Sequence, residues 1–287
     1  MLVAMKLKFA VAAGILAGPI MATSLSPAAV KTDAELAKIV PAGFSYRVAG
    51  DFSRAGRPVE GPLRAARLSE KLSIMKRQVT VAEYSRCMAV GACPRLALPE
   101  ARQDVPMVGV SWHDASAYAA WITAMTGVTH RLPTDEEWIF AAAQSVRDEV
   151  SPLIDPSDPA QAWIARYEAE SARAKSVVVA PQPIGTFGKN SNGLLDVGGN
   201  VWEWTETCFV RATMDDRSMQ VTNTNCGVRV VEGAHRIYMT DFIRDPRTGG
   251  CAAGVPPANL GFRLVVETGH PLLRGIVDNL VKTLRSG

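Results

Sequence analysis

The apolar and polar positions divide the chain into an apolar start, a strand-rich first third, three short helical patterns, a charged insertion and a glycine-rich second half. Phe44-Ser-Tyr-Arg-Val alternates apolar and polar residues, the period of a half-buried strand. Leu72-Ser-Ile-Met-Lys-Arg-Gln-Val-Thr-Val predicts a second strand, and Val81 to Met88 a short helix ahead of two close cysteines. Ser111 stands three residues before Asp114, a capping box whose two side chains satisfy backbone donors at a helix start. Ala115, Tyr118, Ala119, Ile122 and Met125 then share one face, and Gly127 supplies the stop. Thr134 and Glu137 repeat the capping box, with Trp138, Ala141 and Ala142 as the buried face that follows. Residues 144–178 are charged, alanine-rich and broken by Pro152, Pro156 and Pro159, and within them 160–175 predicts an exposed helix. From Gly185 onward Gly, Asn and aromatic residues dominate, which predicts loops supported by short strands.

The two ends differ from this middle. Lys6 and Lys8 precede an apolar run from Phe9 to Ala22, and small residues follow it. That is the pattern of a signal peptide over residues 1–24, too short to span a membrane comfortably and without the twin arginine of the alternative export route. Residues 25–38 read as a linker and 39–268 as one domain. Residues 269–287 carry Leu272, Leu273, Ile276, Val277, Leu280, Val281 and Leu284 at helical spacing, an amphipathic helix expected to pack on the domain. Membrane contact is expected only through the signal segment or this helix.

Composition narrows the function classes. The 287 residues are 47% hydrophobic and 21% charged, ordinary for a globular protein. Cleavage after residue 24 removes two lysines and no acid, so the net charge falls by two, from +3 to +1. A nearly neutral chain without a basic patch has no electrostatic footprint for nucleic acid. Export, to the periplasm or beyond the cell, makes disulfides the expected state of the cysteines. Cys87 with Cys93 and Cys208 with Cys226 are the pairings expected, though five cysteines permit others, and Cys251 is left over. The four histidines have no metal-ligand spacing.

Four stretches carry a resemblance. They are Val108-Gly-Val-Ser-Trp-His-Asp-Ala-Ser-Ala-Tyr, Arg131-Leu-Pro-Thr-Asp-Glu-Glu-Trp, Gly193-Leu-Leu-Asp-Val-Gly-Gly-Asn-Val-Trp-Glu-Trp-Thr and Asn259-Leu-Gly-Phe-Arg-Leu. In order and spacing they resemble the formylglycine-generating, or sulfatase-modifying, family from about Leu72 to Val266. The resemblance implies an irregular α+β fold of the C-type-lectin-like sort with little regular secondary structure. It also implies a structural calcium held by Asp196, the carbonyls of Gly199 and Val201, and Glu203, hard oxygen donors of the kind calcium prefers. Trp112, Trp138, Trp202 and Trp204 read as core, Arg131 and Arg263 as buried ion-pair partners, and His113 as a helix-start residue.

The family's chemistry needs two cysteines that hold copper(I), three and eight residues after a Gly-Gly-Ser turn. The matching run here places His235 at the serine, Tyr238 at the first cysteine and Ile243 at the second. Neither tyrosine nor isoleucine binds copper(I) as thiolates do, so no copper or iron is expected and formylglycine generation by the known route is not expected. Exported relatives that lack the cysteines, accessory proteins of pyoverdine maturation and of copper nitrite reductase, are the nearest in kind. Two readings stay open. One is an accessory or maturation protein whose candidate cleft groups are Glu232, His235, Arg236, Tyr238 and Asp241. The other is a non-catalytic, calcium-braced module that binds a protein or peptide. Whether the chain is an enzyme is left undecided by the sequence.

Overall fold

The computed structural model describes residues 34–98, 102–145, 161, 164, 168, 180–215, 218–248 and 259–267. The signal segment, the C-terminal amphipathic stripe, Cys251 and most of the expected linker lie outside the described residues. Among the described residues, twelve strands of 2 to 14 residues form three sheets, accompanied by three α-helices of 8 to 15 residues. The first runs in the order β1 (Leu36–Ile39), β6 (Leu72–Met75), β12 (Val265–Val266), β7 (His130–Arg131). The second runs β10 (Ile237–Thr240), β9 (Met219–Glu232), β8 (Trp202–Met214), β3 (Asp51–Arg54), β4 (Arg57–Val59), with β11 (Leu260–Gly261) alongside β8. The third is the antiparallel pair β2 (Gly43–Arg47) and β5 (Leu63–Arg67). Only β3 and β11 run parallel to their partner β8. This is the irregular, C-type-lectin-like α+β architecture expected.

The helices fall where their caps place them. α1 (Val81–Ala89), α2 (Trp112–Thr126) and α3 (Asp135–Ala142) each open with a complete capping box, Thr80/Glu83, Ser111/Asp114 and Thr134/Glu137. In each box the acid is also gripped at both oxygens by an arginine from outside the helix. Arg77 holds Glu83 at 2.6 and 3.0 Å, Arg244 holds Asp114 at 2.7 and 2.8 Å, and Arg131 holds Glu137 at 2.7 and 2.6 Å. Burial alone raises the affinity of these carboxyls for protons. The guanidinium and the cap N–H outweigh it, and all three sit below the usual carboxylate range. Gly127 closes α2 at φ 69°, as its position predicts. Gln161, Ile164 and Glu168, within the insertion, are helical and exposed.

Three expectations change. The strand predicted over Leu72–Val81 ends at Met75, because the backbone at Lys76 turns to bond Glu35 and Leu195 instead of a strand neighbour. The linker expected over 25–38 overlaps β1, whose Leu36–Ile39 pairs with β6. The second half holds more than short strands: β8 and β9 are 13 and 14 residues long. Their Thr- and Val-rich sequences suit a pleated surface. The Cys208–Cys226 bridge spans the point where their register breaks. Cys87–Cys93 closes the end of α1. Both bridges are those of a chain that matures in an oxidising, extracytoplasmic setting. Among the described residues no helix is long and apolar enough to cross a membrane.

One aromatic-rich core joins the layers, with Tyr84, Tyr118, Trp204 and Phe262 packed together. Buried tryptophan N–H groups find acceptors across it: Trp204 donates to the Val110 carbonyl at 2.8 Å and Trp202 to the His235 carbonyl at 3.0 Å. Replacement of the α3 cap, Thr134→Ala, is expected to cost about 1 kcal/mol. The check is a urea midpoint shifted down with an unchanged denaturant slope.

Candidate functional site

The glycine-rich segment before β8 is ordered by its own polar groups. Gly198 adopts φ 72°, and at Gly199 a Cβ would come within 2.7 Å of Phe187, so the turn needs glycine at both places. Asp196, itself at φ 56°, turns its carboxylate to the backbone N–H groups of Gly185 and Phe187, at 2.6 and 2.8 Å. Its carbonyl accepts the Gly199 N–H at 3.2 Å.

Glu203 lies fully buried at the foot of β8. Arg263 donates to both its oxygens, at 2.6 and 2.7 Å. The Gln78 amide donates at 2.7 Å and the Trp138 indole at 2.8 Å. Of the four residues expected to hold calcium, Asp196, Gly199, Val201 and Glu203, the two acids each accept N–H donors at their carboxylates, and the Gln78 amide links them, 2.7 Å from Glu203 Oε1 and 3.5 Å from the Asp196 carbonyl.

The expected cleft groups divide into three. Glu232 and Arg236 meet, with the Arg236 Nε donating to Glu232 at 2.5 Å. The third member was missed in the sequence: Asp135, the first residue of α3, lies 3.2 and 3.3 Å from Arg236 Nη2 through its two oxygens. The capping-box pattern marked Asp135 only as a first-turn acid, and its meeting with β9 and Arg236 is a long-range contact no local period carries. Two buried acids on one guanidinium leave one negative charge too many in a dry place. Burial first, then Glu232, drive the Asp135 carboxyl well above its ordinary pKa, and Arg236 opposes them. Asp135 is thereby biased toward its protonated form. Arg236 also donates to the Arg47 carbonyl at 2.8 Å, tying β2 to this cluster.

Tyr238 stands beside them but serves the backbone. Its hydroxyl accepts the Gly50 N–H at 2.7 Å and donates to the Gly50 carbonyl at 3.1 Å. Burial pushes its phenol up to about 12. His235 turns away: its carbonyl accepts the Trp202 indole and its ring stands edge-on to that indole at 5.3 Å. Asp241 pairs instead with His113, Nε2 to Oδ2 at 3.2 Å, on a half-exposed rim. The sequence treated His113 and Asp241 separately, as a helix-start residue and a cleft acid, because nothing local links them. Ile243 packs against the main core. Next to it opens a pocket of about 260 Å³ lined by Val108, Gly109, Arg244, Asp245, Asn259 and Leu260. It lies between two of the four sequence motifs.

Two capped helices, the glycine-rich turn and the buried Arg263 on this frame define a protein of the formylglycine-generating type. The chain belongs to the sulfatase-modifying factor enzyme 1-like domain family, whose profile matches residues 23–268. It is 33% identical over 173 residues to the inactive C-alpha-formylglycine-generating enzyme 2 of Mus musculus, covering 58% of this chain and 51% of that protein. It is 30% identical over 174 residues to the formylglycine-generating enzyme of Streptomyces coelicolor, covering 56% and 52%. The chain thus spans about half the length of these curated relatives. Among solved structures, PvdO from Pseudomonas aeruginosa superposes with a TM-score of 0.49 at 19% identity, over 81% of this chain and 94% of that one.

The acid cluster gives a signed pH dependence. A carboxyl whose folded pKa exceeds its unfolded value, ~3.9, binds the extra proton in the folded state. Its stabilising effect is complete below that unfolded value and is lost as pH rises toward the folded one. The capping acids act oppositely and lose their contribution as pH falls. Asp135→Asn, neutral at every pH, is expected to flatten the fall in melting temperature on the alkaline side of pH ~4 while leaving the acid limb intact. An unchanged alkaline limb would remove Asp135 from this account.

Proposed function

We propose that this chain is an exported accessory or maturation protein of the formylglycine-generating family that does not itself make formylglycine by the two-thiolate copper route. The observation that carries this is Tyr238. It stands where the resemblance places the first thiolate, and its hydroxyl is committed to both polar groups of Gly50. Ile243, at the second thiolate position, is packed into the core. Four of the five cysteines are closed into disulfides. Work in the periplasm or outside the cell agrees with those bridges and with the apolar start of the sequence.

A non-catalytic module that holds a protein or peptide is the second reading, and the cleft residues support it. Glu232, Arg236 and Tyr238 bond to the protein's own groups, so they brace the N-terminal strands against α3 and β9. A general acid or base must reach its substrate within hydrogen-bond distance, and these groups are turned inward. The open pocket lined by Arg244 offers a surface for a partner. Arg244 is held there by Asp114. In this reading a calcium ion on Asp196, Gly199, Val201 and Glu203 would brace the module.

The test is direct. The purified oxidised chain, supplied with copper(I), oxygen and a cysteine peptide of the sulfatase type, is expected to leave the thiol unconverted by mass spectrometry. Appearance of the aldehyde at that cysteine would sink the proposal.

A further inference from the structure

The two disulfides of the described residues stand in opposite surroundings. Cys87 and Cys93 are both buried in the main core. Cys226 is exposed, within a run from Gln220 to Gly227 that is exposed throughout, and Gly227 beside it has no side chain to cover the sulfur. Its partner Cys208 is half-buried on β8 and meets a cation: Arg229 Nη1 donates to Cys208 Sγ at 3.4 Å. The guanidinium is fixed in that place. Arg229 is only 9% exposed, its Cζ lies 3.9 Å from the centre of the Trp112 ring, and Nη1 also donates to the Glu206 carbonyl at 2.6 Å. Its Nε is buried without a hydrogen-bond acceptor among the described residues. The ion pair with the Glu206 carboxylate is long, 3.9 Å from Nη1, and half-open to water, so this countercharge is weak.

We propose that the Cys208–Cys226 bridge is a thiol–disulfide exchange site, at which a cysteine thiol of another protein or peptide attacks Cys226 and Cys208 leaves as a thiolate beside Arg229. The attacking thiol gives its proton to water. Its sulfur bonds to Cys226 Sγ as the bond from Cys226 to Cys208 breaks, and the electron pair of that bond goes to Cys208 Sγ. The incoming thiol is oxidised and Cys208 is reduced, so the step needs no further oxidant. Two features set its direction. Exchange depends on which sulfur is reachable, and Cys226 is the exposed one. It also runs faster when the leaving thiol has a low pKa, and an arginine beside a thiol lowers it. The strands do not need the bridge to stay paired. Rungs continue from Phe209 with Asn225 to Met214 with Met219 on one side, and from Glu203 with Glu232 to Trp204 with Val231 on the other. Opening therefore frees the irregular stretch at Cys208 and leaves the ribbon in place. An exported chain meets such thiols on proteins whose cysteines are not yet paired. The step uses none of the residues at the family's thiolate positions, so it holds or fails apart from the reading above.

The test reads where a thiol attaches. In the full oxidised chain any thiol free at the outset is blocked with N-ethylmaleimide. A peptide with one cysteine is added, and the mixture is quenched with iodoacetamide. Mass spectrometry of the digest is expected to find the peptide on Cys226, the new label on Cys208, and the Cys87–Cys93 bridge intact. Attachment to Cys208, equal opening of both bridges, or no opening of either would overturn the proposal. Arg229→Gln removes the charge and is expected to slow the labelling of Cys208 roughly three- to tenfold, whereas Arg229→Lys keeps the charge and most of the rate. Exchange as fast in the glutamine variant as in the unaltered chain would also overturn it. If neither variant folds, the site of attachment in the unaltered chain decides.

Discussion

Glu203 and Arg263 form the ion pair on which the rest of this fold hangs. Both are fully buried, and each is saturated by hydrogen bonds. Such a pair adds little net stability over an apolar replacement of the same shape, but removal of one partner typically costs about 3–5 kcal/mol. Its value lies in geometry. β8 carries Glu203, and β11 and β12 flank Arg263. Trp138 brings in α3, and Gln78 brings in the segment before α1. The pair joins these separate stretches of sequence at one point, so the irregular loops around it take their positions from it.

The second fixed point is the junction between the N-terminal strands and the body. Arg236 and Tyr238 both reach out of the β9–β10 region to backbone groups of residues 47 and 50, and Tyr46 donates to Glu136 on α3 at 3.0 Å. Gly50 is suited to this because a side chain there would meet Val210 within 2.7 Å. Tyr238, which the resemblance places at the first thiolate, closes a backbone turn with its phenol, and Arg236 balances two acids.

Much of this was legible in the sequence for identifiable reasons. Capping boxes are local: Ser111 with Asp114 and Thr134 with Glu137 announce helix starts within four residues, and the structure keeps both. Arg131 and Arg263 were read as buried pair-formers; both form ion pairs, Arg263 fully buried and Arg131 only half-buried. What failed was long-range or hidden by composition. The β8–β9 ribbon was taken for loops because its outer half is polar on both faces, with Gln220 to Gly227 all exposed, so no alternation marks it. The donors that meet Glu203, from Arg263, Trp138 and Gln78, lie 60 or more residues away along the chain, and no local pattern announces them. Asp135 with Arg236, and His113 with Asp241, belong to the same class of contact.

The arginines on the helix caps differ in one respect that bears on how the chain is made. Arg77 and Arg131 precede the helices they clamp, so α1 and α3 can complete their starts as soon as their own first turns are free to fold. Arg244 follows α2 by more than a hundred residues. Until it arrives, Asp114 keeps its cap but has no countercharge. The chain emerges N-terminus first, so of the three described α-helices the longest, α2, is the last to have its start secured, and its final docking waits on the ribbon and the segment beyond it.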